Sequence, residues 1–541
     1  MAITILKGTI VSARSLGKLD ITENGYLVAE SGVIQGVFPA LPEQYAGAPV
    51  EDYGDALILQ SFADLHLHAP QYPMLGMGMD LPLLDWLNAY AFPTESRFAD
   101  PDYAREIYRK LAHELVSHGT TRVCMFSSLH TDATLILMDE LEKAGVTGYV
   151  GKVNMDRNAA PGVLEETTEE SQRETLRWLD ACGDFAHIKP MLTPRFTPSC
   201  TNELMAFLGK LAAERNLPVQ SHLSENSAEM EWVRQLHPDC RQYWETYAKY
   251  GLWNDRTVMA HCVWSDERER EAMRDAGVTV VHCADSNQNI CSGVAPVRVM
   301  LNEGLKVALG SDIAGGDHLD MFDVVASAIR ASKARRVLDN WQTDFLTVPE
   351  GWYLSTSAGA AYFGEQPGFA AGNPLHAIVL ADDALPQPHP LTPAERLERC
   401  VYLRQPGAIQ AVWSAGRKVY TAEETQKREP TGSLFCSEQM HDPHGDRRGN
   451  APGDDKPQQN SGQGGPQADV QQGRHQRPGP GPGPRQGDGH QNEQPRQAVF
   501  PHDAALQVGP ALQPDDFRSE KPGVPQPVEH PPRQQHDKRH R

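Results

Sequence analysis

Short apolar runs recur along most of the chain, and the texture between them changes twice. Across residues 2–60 the runs are β-prone, as in Ile3-Thr4-Ile5-Leu6 and Tyr26-Leu27-Val28-Ala29. Polar residues and glycines separate them, as in hairpins. From residue 56 onward strands alternate with helices. The strand candidates are 56–60, 121–126, 148–153, 188–192, 218–221, 258–260, 278–281 and 307–309. Amphipathic segments lie between most of them. In 201–215, for example, Leu204, Leu208 and Leu211 stand at i, i+4 and i+7, on one helical face. Strands that alternate with helices in this number predict an α/β fold, a closed parallel (β/α)8 barrel of the TIM type. An open doubly wound sheet is the alternative that the pattern alone leaves.

After the last barrel candidate the texture returns to short strands: Pro374-Leu375-His376-Ala377-Ile378-Val379-Leu380, then Ala411-Val412-Trp413, then Gly416-Arg417-Lys418-Val419-Tyr420. These are expected to join the N-terminal strands in a small β-sandwich built from both chain ends. The expected domains are thus 1–57 and 366–425 for the small β domain and 58–365 for the barrel. Near residue 430 Gln, Pro, Gly, Arg, His and Asp take over, with runs such as Pro478-Gly479-Pro480-Gly481-Pro482. Such a segment cannot offset its ordering entropy by burial. Residues 430–541 therefore read as a disordered low-complexity tail, or as coding sequence translated out of frame.

Composition narrows the setting rather than the chemistry. In 541 residues, 40% of them hydrophobic, there is ample material for a large core. The formal net charge of -21 repels phosphate, so no nucleic acid or anionic membrane surface is expected as a partner. Nine cysteines are scattered with no CxxC pair, as in a chain kept reduced. The segment from Met1 to Ile10 lacks the basic and apolar regions of a signal peptide, and no run approaches the ~20 apolar residues of a membrane span. A cytoplasmic protein is expected.

The chemistry begins with Asp64-Leu65-His66-Leu67-His68, at the end of the first barrel strand. Strand side chains alternate, so His66 and His68 point to one side, where two imidazoles can meet one metal ion. Such a pair alone is as readily structural. Three further residues change that: His222 after the fifth strand run, His261 after the sixth and Asp312 after the eighth. All stand at carboxyl ends, the face on which barrel active sites are built.

With those positions the chain resembles the amidohydrolase superfamily, whose pattern is HxH, His, His and Asp at the ends of strands one, five, six and eight. The resemblance implies one divalent metal ion per chain, zinc with iron also compatible, held by His66, His68, His222 and Asp312. Binuclear members add a carboxylated lysine at strand four. Here Lys189 lies at the start of that strand, Lys152 lies in the third, and Thr193-Pro194-Arg195-Phe196 stands at the fourth strand's end. The site is therefore expected to be mononuclear.

Glu225 stands three residues after His222, a spacing that resembles the HxxE of purine and pyrimidine deaminases on this fold. A carboxyl there can take a proton from water and pass it to a ring nitrogen and the leaving amine. His261 is expected to hold or polarise the water or to stabilise the tetrahedral intermediate, and Asp312 joins Glu225 and His261 as the expected catalytic set. The H-x-E…P-C-x-x-C signature of the other zinc-deaminase class is absent.

Longer stretches resemble the guanine deaminase branch: His68-Ala69-Pro70-Gln71-Tyr72, Leu84-Asp85-Trp86-Leu87, Phe92-Pro93-Thr94-Glu95, Gly151-Lys152-Val153-Asn154-Met155-Asp156, Glu166-Thr167-Thr168-Glu169-Glu170-Ser171, Thr193-Pro194-Arg195-Phe196, His222-Leu223-Ser224-Glu225-Asn226 and Gly310-Ser311-Asp312-Ile313-Ala314-Gly315-Gly316. The resemblance implies guanine as substrate and a homodimer. It implies a pocket lined by His68, Ala69, Pro70, Gln71, Arg195, Phe196, His222, Leu223, Ser224, Glu225 and Asp312. Arg195 would donate to the 6-carbonyl, Gln71 would donate and accept at the ring edge, and Phe196 would pack on the purine face. Two departures stand out. Gln60-Ser61 occupies the place where many members have Pro-Gly, and His282-Cys283-Ala284 replaces His-Cys-Pro. Competing readings are an aminohydrolase of another purine, a pterin or a triazine, an amide-ring hydrolase with two metals, and an inactive scaffold.

Overall fold

The structure, a computed structural model, describes residues 2–422 except 383, 385 and 404–406. The expectation for 430–541 lies outside these residues. At the N-terminus β1 (Ile3–Ser15), β2 (Lys18–Glu30) and β3 (Val33–Phe38) form an antiparallel meander, and β4 (Glu51–Gln60) pairs parallel with β1.

The barrel strands follow: β5 (Phe62–His68), β6 (Thr120–Phe126), β7 (Thr147–Gly151), β8 (Ile188–Pro190), β9 (Val219–Leu223), β10 (Thr257–His261), β11 (Thr279–His282) and β12 (Lys306–Leu309). They form two four-stranded parallel sheets in sequence order. Backbone bonds beyond the strand ends close the ring. Leu192 N donates to Pro218 O and Gln220 N to Leu192 O, both at 2.9 Å. Across the other seam Asp312 N donates to His66 O at 2.8 Å and His68 N to Ile313 O at 3.0 Å. The expected (β/α)8 barrel is the fold.

Helices pack outside. They include α1 (Pro101–Ser117), α2 (Thr131–Ala144), α3 (Thr168–Ala181), α4 (Asn202–Arg215), α5 (Ser227–Leu236), α6 (Glu267–Ala276), the short α7 (Ala284–Asn289) and α8 (Met321–Leu338). In α4 the Thr201 hydroxyl caps Leu204 N, and Leu204, Leu208 and Leu211 are buried, as the period predicts. Strand alternation then divides the core. Val123, Met125, Met259 and Val280 face the helices, while Cys124, Val258, Ala260, Val281 and Ala308 fill the barrel interior.

After the barrel, β13 (Ala377–Leu380), β14 (Ile409–Ser414) and β15 (Arg417–Thr421) return to the N-terminal strands. They complete one seven-stranded sheet in the order β15-β14-β13-β4-β1-β2-β3. Alternation is strict here. Leu57, Leu59, Ile378, Leu380 and Val412 join the barrel's core, whereas Ile58, Ala377, Val379, Ala411 and Trp413 join a second core with Leu27, Ala29 and Ile34. Residues from β2, β3 and β14, far apart in strand order, share that core, so the sheet folds over on itself as a sandwich does.

One strand assignment is corrected. Residues 56–60 belong to β4 of the small sheet, and the first barrel strand begins at Phe62. The chain passes almost straight from one to the other, with Ser61 N bonded to His376 O and Phe62 N to Gly119 O. The pattern shows one long apolar run because both strands are buried. At this junction Gln60 accepts from Ala13 N at 2.9 Å and donates to Ser357 Oγ at 3.0 Å, and Ser61 Oγ lies 2.6 Å from Thr121 Oγ1. Buried, satisfied polar side chains thus stand where Pro-Gly was expected.

Candidate functional site

The register of β5 shows how the HxH pair is aimed. Asp64 pairs with Val123 and Leu67 with Met125, so three steps on β5 oppose two on β6. This bulge lets Leu65 fill the barrel interior while His66 and His68 still point to the carboxyl-end mouth. Asp64 secures the bulge by accepting from His66 N at 3.2 Å and Ser311 N at 3.0 Å, which ties β5 to the segment carrying Asp312. Burial raises its carboxyl to about 7. Gly310 allows the close approach. A Cβ there would stand 2.7 Å from Val281 Cγ1 and 2.9 Å from His66 Cβ.

His222, Glu225, His261 and Asp312 arrive from β9, β10 and the segment after β12. The chain leaves extended geometry at these points. Ser224 (φ 47°), His261 (φ 72°), Cys262 (φ 49°) and Asp312 (φ 49°) are all left-handed, local strain of the kind that gathers at functional sites.

The side chains converge. His66 Nε2 is 3.1 Å and His68 Nε2 3.5 Å from Asp312 Oδ1, and His68 Nε2 is 3.1 Å from His222 Nε2. Donor atoms of His66, His222 and His261 lie within 4.8 Å of one another, as do those of His66, His68 and Asp312. Burial, with the neighbouring histidines, holds His66, His68 and His222 well below the usual imidazole range. Burial raises the Asp312 carboxyl to about 6.

Neutral imidazoles beside a carboxylate fit a divalent ion with nitrogen and oxygen ligands. His66 Nε2 is buried and without a hydrogen-bond partner, a state that a metal bond resolves. His222 Nδ1 donates to Arg195 O at 2.6 Å, and His261 Nδ1 to Asn287 Oδ1 at 2.9 Å. These outer bonds fix the tautomers and turn each Nε2 inward. Neither lysine reaches the cluster. Lys189 is exposed and bonded to Phe185 O, and Lys152 is buried against Glu165 and Val153 O.

Glu225 lies at the rim, its Oε2 3.5 Å from His261 Nε2 and its Oε1 accepting from Ser292 Oγ at 3.0 Å. Burial, then the nearby Asp312 charge, raises its carboxyl above the usual carboxylate range, the direction that suits a group exchanging protons.

The cavity above the cluster is lined by His68, Gln71, Arg195, Phe196, His222, Glu225, His261 and Asp312. Leu83, Trp86, Leu87, Ser286, Ile290 and Gly315 complete it. Ala69, Pro70, Leu223 and Ser224 are buried beside it and are not among its lining residues. Leu223 faces the outer core because alternation along β9 turns it away from His222, and Ala69 packs in the same core.

Residues 83–96 form a wall that hydrophobic periodicity did not reveal. They are helical, with a π-type turn at Leu87–Ala91 before Pro93. A proline ring displaces the carbonyl four residues back and widens the helix there. Glu95, Asn287 and Ser292 are further polar residues of the site that sequence reasoning missed, because each acts on a partner distant in sequence.

The amidohydrolase family profile matches residues 57–419. The guanine deaminase of Dictyostelium discoideum is 37% identical over 66% of this chain and 83% of its own length. That of Homo sapiens is 35% identical over 67% and 82%. A crystal structure of guanine deaminase from C. acetobutylicum with guanine bound in the active site is 40% identical. It covers 77% of this chain and 100% of that one, with a TM-score of 0.76.

Proposed function

The chain belongs to the amidohydrolase family, and on that footing we propose that it hydrolyses the 2-amino group of guanine, giving xanthine and ammonia. One observation carries the substrate choice. Arg195 and Gln71 stand in the same cavity as Glu225 and the ligand cluster, so a purine carbonyl has a donor while its amine faces the reacting end.

His66, His68, His222 and Asp312 would hold one divalent ion, zinc the expected species and iron compatible with the same donors. Such an ion would lower the pKa of a water that it binds to about 7. Glu225 takes a proton from the attacking water and delivers it to ring N3, then helps protonate the departing amine. Asp312 Oδ2 sits 3.6 Å from His261 Nε2, so His261 would orient the attacking water beside it. Arg195 donates to the 6-carbonyl and Phe196 covers the ring. Leu83, Trp86 and Leu87 exclude bulk water, which strengthens each of these interactions.

The eight cysteines of the described residues are free, which suits a reducing cytoplasm, and no helix among them is long and apolar enough to cross a membrane.

The test is ammonia release from a purine panel by the metal-loaded protein. Guanine should lead. Adenine sets an amino group against the Arg195 donor and should be slower by at least about tenfold to a hundredfold. Faster release from adenine or a pterin would reject guanine while leaving the aminohydrolase reading intact.

A further inference from the structure

Glu95 has no part in the reaction steps above, yet it is among the most enclosed charges of the molecule, 2% exposed. Its two oxygens are divided. Oε2 accepts from Arg195 Nη1 at 2.6 Å, and Oε1 accepts from Gln71 Nε2 at 2.8 Å. Both donors line the cavity. The far end of the Gln71 amide is also fixed, since its Oε1 accepts from Ala314 N at 3.0 Å. A flipped amide would set oxygen against carboxylate and NH2 against N–H, so Gln71 has one orientation. The Arg195 guanidinium is held as well, 5.2 Å from the Phe92 ring centroid, one helical turn before Glu95.

We infer that Glu95 is a specificity-determining positioning residue. A single buried carboxylate presets Arg195 and Gln71 as paired hydrogen-bond donors for the carbonyl edge of a purine. The inference rests on the guanine reading and deepens it. Two physical reasons support it. Arg195 is itself 3% exposed, and a buried guanidinium beside a cation-binding cluster is costly unless paired. A planar guanidinium anchored through one N–H keeps its remaining donors in a known direction, so little freedom is lost when a ligand carbonyl arrives. The hydrogen bonds of Glu95 go to Arg195 and Gln71 rather than to the ligand cluster or Glu225, so its effect falls on recognition.

The test is Glu95→Gln, which keeps the shape but accepts from only one partner and turns its own NH2 on the other. The readouts are KM and kcat for guanine, metal content, and the inhibition constants of hypoxanthine, which carries the 6-carbonyl, and purine, which lacks it. The expected result is KM raised about tenfold or more with kcat changed far less. Hypoxanthine should weaken about tenfold while purine is nearly unmoved and metal content is unchanged. A general loss of structure would weaken both inhibitors alike. Equal weakening, or no change in their ratio, overturns the inference. If Glu95→Gln folds poorly, Glu95→Asp is scored by the same ratio, because the shorter carboxylate keeps the charge but cannot reach both partners. A wild-type protein that releases no ammonia from guanine rejects the guanine reading. A wild-type protein that does, with an unchanged ratio in the variant, rejects only the role of Glu95.

Discussion

His222 donates from Nδ1 to the backbone carbonyl of Arg195 at 2.6 Å, so a metal-ligand candidate leans on the residue proposed to read the substrate. The bond uses only the main chain of Arg195. Arg195→Ala therefore keeps the His222 tautomer and orientation while removing the guanidinium. Metal content by elemental analysis should stay at the wild-type level, and kcat/KM for guanine should fall by about tenfold to a hundredfold or more, the size of a lost charge-assisted bond. Metal loss in this variant would mean that the side chain, too, supports the cluster.

Glu225→Gln preserves shape and the bond from Ser292 but removes the proton carrier. Metal content should be unchanged and turnover reduced by roughly 10²–10⁴-fold. A variant with near-normal turnover would place the proton transfer elsewhere.

The ligand set predicts about one divalent ion per chain and loss of activity on chelation, restored by adding metal back. Elemental analysis together with intact mass decides the count. Two ions with a carboxylated lysine would contradict the placement of Lys189 and Lys152 away from the cluster.

Gly310→Ala would push a methyl group to within 3.0 Å of His66 O as well as His66 Cβ and Val281 Cγ1, with no flexible group to yield. A loss of about 1–3 kcal/mol in unfolding free energy is expected, as for other overpacked cores, along with weaker metal retention because His66 is the atom group displaced. A chemical denaturation curve that matches wild type would show that the strand seam can relax.

His318, in the loop beyond Asp312, lies 3.2 Å from Asp317 Oδ1. This close ion pair raises its imidazole to about 9 and lowers Asp317 to about 2. The raised imidazole contributes stability that is full below about pH 6.5 and is lost as pH rises through 9. The lowered carboxylate contributes stability that is full above about pH 4 and is lost as pH falls through 2. Melting temperature should thus decline between about pH 6.5 and 9, and His318→Gln should flatten that decline. Both groups are more than a third exposed, so the effect is modest. Parallel pH profiles for the two proteins would remove the pair from the stability balance.

The sequence by itself determined the parts whose signal is local. Apolar periodicity sets strands and helices, because burial on one face imposes a period of two or of 3.6 residues, and Leu204, Leu208 and Leu211 lie inward as that period demands. Ligand-type residues that follow apolar runs marked His66, His68, His222, His261 and Asp312, because parallel barrel strands all end on one face. Tertiary structure alone decided what depends on through-space partners. The run 56–67 divides between two sheets only because β1 and β13 offer hydrogen bonds to its first half and β6 to its second. The bulge that turns His66 and His68 to the mouth exists as a register against β6, which no single strand encodes. Leu223 faces the outer core through alternation fixed by the neighbouring strands, and Glu95 stands behind Arg195 because a helix some hundred residues earlier folds back against it. A carboxylate in a polar stretch looks solvated until its partners are known, since its bonds join residues 71, 95, 195 and 314, which only chain closure brings within hydrogen-bond reach.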